Sequence, residues 1–311
     1  KALLKESSFN PDWVLTLSYA SSFRPHKALL GLPKWHSKWL AYVHDPFPMH
    51  SYPRPYDWVE PGHQYKRDFF LNIVDKAKYL VYPSKYLAEW MQSYYPKQKG
   101  KEIIIPHQIS NEKNTEVMLS NFFIKRNFNI LHAGNMMSAR NPKALIEAFE
   151  VFLKENPEAK EVSNLIFIGN PSCYDSYIKN KQKTTPQLVL SDGYLSFETV
   201  FYMQQHTTVN LILEAKGTLS PFLPGKFPHC IQAEKPILLL SPYYSESKRL
   251  LGDNYPYWSP INDVELIASH LSNLYKEWLS NGNVLEMKRS DLIDYLGVNH
   301  LKETINNLIS S

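Results

Sequence analysis

The residues best placed to do chemistry are two loop cations, each following an apolar run. Thr208-Val209-Asn210-Leu211-Ile212-Leu213 reads as a buried strand. Beyond it, Ser220-Pro221-Phe222-Leu223-Pro224-Gly225-Lys226-Phe227-Pro228-His229 forms a proline- and glycine-rich loop with one lysine at the start of a short helix. Well upstream, Ile130-Leu131-His132-Ala133-Gly134-Asn135 ends a second apolar run in a glycine, and Arg140-Asn141-Pro142 follows. Where strand passes to helix at the carboxyl edge of a parallel sheet, backbone N–H groups and a positive helix end face outward together, and such corners bind phosphates. Glycine lets the main chain come close to the ligand. A guanidinium holds two phosphate oxygens at once, whereas an ammonium is a movable point charge. Two such corners predict a diphosphate ligand, most simply a nucleotide sugar. Arg140 and Lys226 would clamp it, Gly134, Asn135 and Gly225 would approach it through backbone, and the helix start at Phe227 would point its positive end there. His229, one turn inside that helix, would lie near the ribose.

Those loops need a sheet to hold them, and the remaining pattern supplies one. Short apolar runs alternate with longer amphipathic stretches, as in a parallel α/β sheet. In the first part, strands are expected at Trp13–Ser18, Trp39–Val43, Tyr79–Tyr82 and Ile103–Ile105. A helix is expected over Lys85–Tyr94, with Leu87, Met91 and Tyr94 at helical spacing. Asp45 to His63 is rich in proline and tyrosine and reads as a long irregular loop of functional kind. From His107 to Asn127 the chain turns polar, which divides a domain of residues 1–120 from one of residues 121–311. The second part restarts at Phe128–Ala133. A helix then carries Leu145, Ala148, Phe149 and Phe152 on one face, with Asn141 as its cap and Pro142 as its first residue. Strands at Leu165–Ile168, Gln187–Leu190, Thr208–Leu213 and Pro236–Leu240 complete a doubly wound sheet, and helices follow from Asp263 onward.

Composition sets limits on the partners. Of 311 residues, 43% are hydrophobic and 21% charged, a core-forming balance. The formal charge of +4, from 34 basic and 30 acidic residues, is too weak and dispersed for nucleic acid but suits an anionic substrate. Cys173 and Cys230 stand far apart without metal-ligand spacing and read as reduced thiols of a cytoplasmic protein. No run approaches the roughly eighteen apolar residues of a membrane-spanning helix. His26 to Trp39 mixes lysines with leucines and tryptophans. That segment suits either peripheral contact with the inner face of a membrane or a helix packed on the sheet with its lysines snorkelling. The chain opens at Lys1, and its first strand follows Asn10-Pro11-Asp12 as if in mid-domain, so the first domain is expected to lack its start.

Taken in order, these pieces resemble a family-4-type retaining glycosyltransferase of the GT-B fold, an α/β architecture in which two Rossmann-like parallel-sheet domains face a cleft. The resemblance runs over nearly the whole chain. Gly134 through Arg140, with the helix that follows, is similar to the opening of the family's second domain. Gly169 and then Gly193-Tyr194-Leu195-Ser196 resemble the family's run toward the donor site. Pro224-Gly225-Lys226 through Lys235-Pro236-Ile237 resembles a Pro-x-Lys-x-x-Glu segment that ends in Gly-Lys-Pro-Ile. Tyr42-Val43-His44-Asp45 is similar to the strand that ends in the active-site histidine. Tyr82-Pro83-Ser84-Lys85 and Ile105-Pro106-His107 resemble two later turns. The departures are specific. The motif glutamate falls at His229, its partner at Pro221 and the late glycine at Glu234, and the family's glycine-rich first loop is nowhere in the sequence. A neutral imidazole can bond a ribose, but not as a two-oxygen acceptor.

The resemblance implies a glycosyltransferase of hexosyltransferase type in polysaccharide or glycan biosynthesis. The donor would be UDP- or GDP-linked and the acceptor a saccharide or a lipid-linked saccharide. No cofactor and no metal are expected: the two cations take the metal's role, and no Asp-x-Asp motif with a flanking strand occurs. Catalytic roles fall on His44, Arg140 and Lys226. Donor binding falls on Gly134, Asn135, Gly225, Phe227, His229 and Glu214, and the acceptor side on Asp45. The alternative is a non-catalytic nucleotide-sugar or glycan-binding subunit on a degenerate transferase fold, which the loss of both motif glutamates favours.

Overall fold

A computed structural model describes residues 10–20, 22–48, 62–109 and 121–309. Most of the proline- and tyrosine-rich segment (49–61) and the middle of the polar segment (110–120), where the boundary at residue 120 was expected, lie outside those residues. The chain divides into two units, Lys1–Pro106 and His107–Ser311.

The first unit holds a four-stranded parallel sheet in the order β1 (Val14–Leu17), β2 (Trp39–Tyr42), β3 (Tyr79–Tyr82), β4 (Glu102–Ile104). Central β2 is buried along its whole length, the sign of a strand covered on both faces. Helices α1 (Arg24–Leu30), α2 (Gln64–Lys76) and α3 (Lys85–Tyr94) pack around it. Ser84 caps α3 by accepting the Leu87 N–H at 3.0 Å. The lysine- and tryptophan-rich segment turns its apolar members inward: Leu29, Trp35 and Trp39 are buried, while Lys27 and Lys34 stay outside. Lys34 lies 4.4 Å from the Trp35 ring centre.

The second unit is doubly wound. Six parallel strands run in the order β12, β10, β8, β5, β6, β7. They are β5 (Phe128–Ala133), β6 (Ser163–Ile168), β7 (Leu188–Leu190), β8 (Val209–Leu213), β10 (Ile237–Leu240) and β12 (Trp258–Ser259); β9 (Leu219–Ser220) and β11 (Tyr244–Ser245) form a separate pair. Side chains alternate across the sheet, as the period of two requires. Leu238 and Leu240 join Phe149, Phe152, Leu271 and Trp278 from α4 (Lys143–Glu155) and α9 (Val264–Ser280). Ile237 and Leu239 join Phe227, Cys230 and Ile231 from α7 (Phe227–Gln232) on the other face. α5 (Asp175–Gln182), α6 (Phe197–His206), α8 (Glu246–Leu251), α10 (Ser290–Tyr295) and α11 (Val298–Ile309) complete the layers. Helix α4 begins one residue later than expected, so Pro142 and not Asn141 holds the cap position; the Asn141 Oδ1, one residue earlier, accepts the Lys143 N–H at 3.0 Å. The strand order reverses between β5 and β8, and ligands of open α/β sheets bind outside the carboxyl ends of strands at such a reversal. Among the described residues, no helix is long and apolar enough to cross a membrane.

Candidate donor site of the second unit

A cavity of about 290 Å³ opens where β5 and β6 end. Ala133, Gly134 and Asn135 form one wall, Ile168 and Gly169 a second, and Gly225, Lys226 and His229 a third. Tyr194, Leu195, Phe197, Val200 and Gln204 close it on the α6 side. Four of the expected site residues in the second unit other than Lys226 therefore meet there: Gly134, Asn135, Gly225 and His229. The Asn135 Oδ1 accepts the Asn170 N–H at 3.0 Å, which ties the turn after β5 to the turn after β6. Gly134 has φ +143°, and a Cβ on it would stand 3.7 Å from the Lys226 Nζ. At Gly225 φ is not positive and a Cβ would meet nothing within 4 Å, so the protein itself does not demand glycine there.

Lys226 is the chemical centre of this cavity. Its Nζ lies 3.0 Å from the Nδ1 of His132, to which it donates. His132 is 1% exposed, and burial, then Lys226 and Arg140, hold its pKa well below the ordinary imidazole range. It is therefore neutral, an acceptor on Nδ1 with its proton on Nε2. Burial, reinforced by Arg140, pushes the Lys226 ammonium down to about 7, against the opposing pull of Cys230 and Glu214. Among the described residues no carboxylate lies within ion-pair distance of Lys226 or Arg140. The Arg140 Nε is buried and has no acceptor among the described residues. Arg140 does not line the cavity; its charge acts from beside it, on His132 and Lys226. Two cations that feel each other's charge, with Glu214 acting on both only from beyond ion-pair distance, are disposed to take an anion.

Two expected donor contacts fall elsewhere. Phe227 is fully buried among Ile212, Leu239 and Ile231, and its N–H is given to the Pro224 carbonyl at 2.8 Å. It is a core residue, because the helix it begins is only one and a half turns long and must bury its first side chain to stay on the sheet. Glu214 is neither an exposed loop acid nor a cavity residue. It is 4% exposed, and its Oε1 accepts from Ser245 at 2.9 Å and Ser247 at 2.7 Å, joining the end of β8 to the start of α8. Burial raises its pKa against those hydroxyl bonds. Glu214→Ala should therefore lower unfolding stability by about 2 kcal/mol, by stranding two buried hydroxyls, with Glu214→Gln between it and wild type. Nucleotide affinity should stay within twofold. Denaturant unfolding beside a binding titration checks both, and loss of affinity without loss of stability would return Glu214 to the donor site.

Sequence reading passed over His132 because a histidine inside an apolar strand looks like a satisfied core residue. It took Gly193 to Ser196 as part of the run toward the donor site but gave Tyr194 and Phe197 no role of their own. Tyr194 is 70% exposed and follows Gly193, whose φ of +77° turns the chain outward; Ser196 then caps α6 by accepting the Thr199 N–H at 3.2 Å. An exposed aromatic in a capped turn was the signal to follow. His229 packs edge-on against Phe197 and Phe201, at 5.2 and 5.6 Å, and burial lowers its pKa, so it offers the cavity a neutral imidazole.

In the first unit, His44 and Asp45 follow β2 at its carboxyl end, as expected. The His44 ring lies 4.4 Å from that of Tyr42, the main-chain N–H of His44 donates to the Ser18 Oγ at 3.0 Å, and the ring Nδ1 lies 3.4 Å from the same hydroxyl. Burial lowers its pKa, and Asp45 partly restores it. Among the described residues no three His, Cys, Asp or Glu side chains converge as metal ligands. Cys173 and Cys230 are both unpaired thiols, the first exposed and the second buried.

No family model matches this sequence, and no curated protein matches it. Solved structures do. The pneumococcal O-GlcNAc transferase GtfA, in complex with UDP and GlcNAc, is similar over 91% of this chain and 54% of its own, with TM-score 0.62 and 16% identity. A mutant of S. aureus TarM, in complex with fondaparinux, alpha-GlcNAc-glycerol and UDP, is similar over 88% and 51%, with TM-score 0.55 and 12% identity. A UDP-forming alpha,alpha-trehalose-phosphate synthase from Burkholderia xenovorans is similar over 99% and 75%, with TM-score 0.62 and 11% identity. The chain spans about half the length of the first two. At these identities the likeness is one of architecture, and it establishes for this chain the GT-B fold that its motifs resemble.

Proposed function

We propose that this protein is a glycosyltransferase that moves a sugar from a UDP-linked donor to a saccharide or lipid-linked saccharide acceptor. The observation that carries the reading is the Lys226 ammonium, seated on a neutral imidazole with no carboxylate at ion-pair distance among the described residues, in a cavity at the carboxyl ends of β5 and β6. Each of the three similar structures carries UDP in its description, as ligand or as product. In this reading the diphosphate lies against Lys226 and the turn at Gly134, and the nucleoside extends toward Tyr194, Leu195 and His229. Arg140 adds charge from beside the cavity. The bond between the anomeric carbon and the diphosphate oxygen breaks as the acceptor oxygen bonds to that carbon. The acceptor proton passes to the departing diphosphate, on the same face, so configuration is retained. Lys226 and Arg140 balance the charge that grows on the leaving group, the electrostatic role a divalent ion would otherwise take. His44 and Asp45 serve the acceptor side. An exposed free cysteine suits a reducing compartment such as the cytoplasm.

Thermal unfolding with UDP, GDP and ADP, followed by assay of UDP release from UDP-sugars, tests this. A nucleotide at a hundred times its Kd stabilises by about 2.7 kcal/mol, and UDP is expected to do so selectively, with slow donor hydrolysis in the absence of acceptor. Stabilisation by UDP with no release from any UDP-sugar would leave a binding subunit. No response to any nucleotide would end the donor reading.

A further inference from the structure

The first unit carries a second cavity, of about 380 Å³, between α1 and α2. Its back wall is aromatic: Phe23 and Phe47 lie 4.5 Å apart by ring centres, and Phe69 meets them edge-on at 6.3 and 6.2 Å. Its rim is cationic, with Arg24 and Lys27 from α1 and Lys66 from α2. Arg24 and Lys27 stand three residues apart on one helix face, where like charges oppose helix formation. Among the described residues none of the three has a carboxylate partner. Three cations around one opening, with no acid among the described residues that line it, work against folding and in favour of an anionic occupant.

The aromatic surface says what kind of anion. Phe23 and Phe47 are themselves buried against Phe70, so among the described residues the aromatic back wall is closed and offers no tunnel for a lipid chain. What remains accessible is Phe69 and the ring of Tyr65, which is 70% exposed beside Lys66. Flat aromatic faces at a cavity mouth suit the apolar faces of sugar rings, and the volume falls within the range of small-ligand sites. We propose that this cavity binds an anionic saccharide, a sugar whose carboxylate or phosphate is held by Arg24, Lys27 and Lys66 while its ring lies on Tyr65 and Phe69. The site stands on the first unit alone and does not depend on the donor reading of the second.

Calorimetric titration of the full chain decides it, with five probes: a hyaluronan tetrasaccharide, glucose 6-phosphate, neutral maltotetraose, inorganic phosphate and geranyl phosphate. The expected result is binding of the hyaluronan fragment, the sugar phosphate or both with Kd of about 1 mM or tighter. Maltotetraose, free phosphate and geranyl phosphate should each bind at least about tenfold more weakly, a difference of about 1.4 kcal/mol. Which acidic sugar binds tells carboxylate from phosphate. Arg24→Gln with Lys66→Gln, and separately Tyr65→Ala, should each weaken that binding about tenfold or more, with circular dichroism and unfolding midpoint unchanged because these side chains are wholly or partly exposed. Lys226→Met should leave it unaltered whether or not the second unit binds UDP. Equal binding of maltotetraose, equal binding of free phosphate, tighter binding of geranyl phosphate, no binding by any probe, or indifference to the charge and tyrosine variants would each overturn the proposal.

Discussion

Lys226→Met should remove UDP binding almost completely and, in the absence of ligand, make the second unit more stable. The two effects share one cause. Burial holds this ammonium down to about 7, against an ordinary lysine pKa of 10.5. Between those values the unfolded chain binds a proton that the folded chain does not, so stability rises with pH across that window. The penalty is fully present below pH 7 and gone by about pH 10.5. Lys226 is only partly buried, so the shift is discounted to about 2 kcal/mol at neutral pH. That is worth several degrees of unfolding midpoint in a unit of this size. The methionine variant should keep its advantage at pH 6 to 7 and lose it toward pH 10. Loss of the bond to His132 works in the opposite direction, but by less.

Binding should show the same proton. A diphosphate restores the ammonium, so at pH 8 UDP binding should take up a fraction of a proton approaching one. Affinity should fall by up to about tenfold per pH unit above pH 7, and protonation of the terminal phosphate weakens it below about pH 6. Calorimetry in buffers of different ionisation enthalpy reads the proton directly. Wild-type binding with no proton exchange between pH 7 and 9, or a methionine variant that binds UDP as wild type does, would remove Lys226 from the site.

Gly169→Ala is the second large effect. Gly169 has φ +118°, a conformation that side chains resist. A Cβ there would stand 2.9 Å from the Gly134 carbonyl oxygen, 3.0 Å from its carbon and 3.2 Å from the Asn135 Oδ1. The nearest two atoms are main chain and cannot swing aside. Strain of about 1–3 kcal/mol is the starting point, and the overlap must also push back the turn that lines the cavity. The expected outcome is about 3 kcal/mol of lost stability together with at least tenfold weaker UDP binding. Gly225→Ala gives the contrast: its Cβ would enter open space, so stability should hold within about 0.5 kcal/mol while affinity falls if the ligand's phosphates need that approach. Equal stability of the two variants, by thermal or denaturant unfolding, would show that the β5 and β6 turns do not press on each other as described.

The strands were legible in the sequence because parallel strands covered on both faces become unbroken apolar runs. Phe128–Ala133 and Tyr79–Tyr82 are strands over those same residues. Helix α3 was legible from spacing, and α4 from its apolar face, although its cap is Pro142 and not Asn141. The cations at Arg140 and Lys226, and the glycine at Gly134, stood out because loops at strand ends are where such residues are conspicuous. What each touches was decided only by the strand order β12, β10, β8, β5, β6, β7. That order carries His132 of β5 to Lys226, far away along the chain, and makes a strand histidine the seat of the ammonium. It sends Phe227 into the core and closes a serine cage on Glu214, although both sit in the loop and helix start that promised a ligand. A run of residue types fixes local conformation and how deeply a side chain is buried, because those follow from its own chemistry and its near neighbours. Whether a buried polar group faces a ligand, a cation or a hydroxyl depends on which distant strand lies beside it, and only the folded sheet decides that.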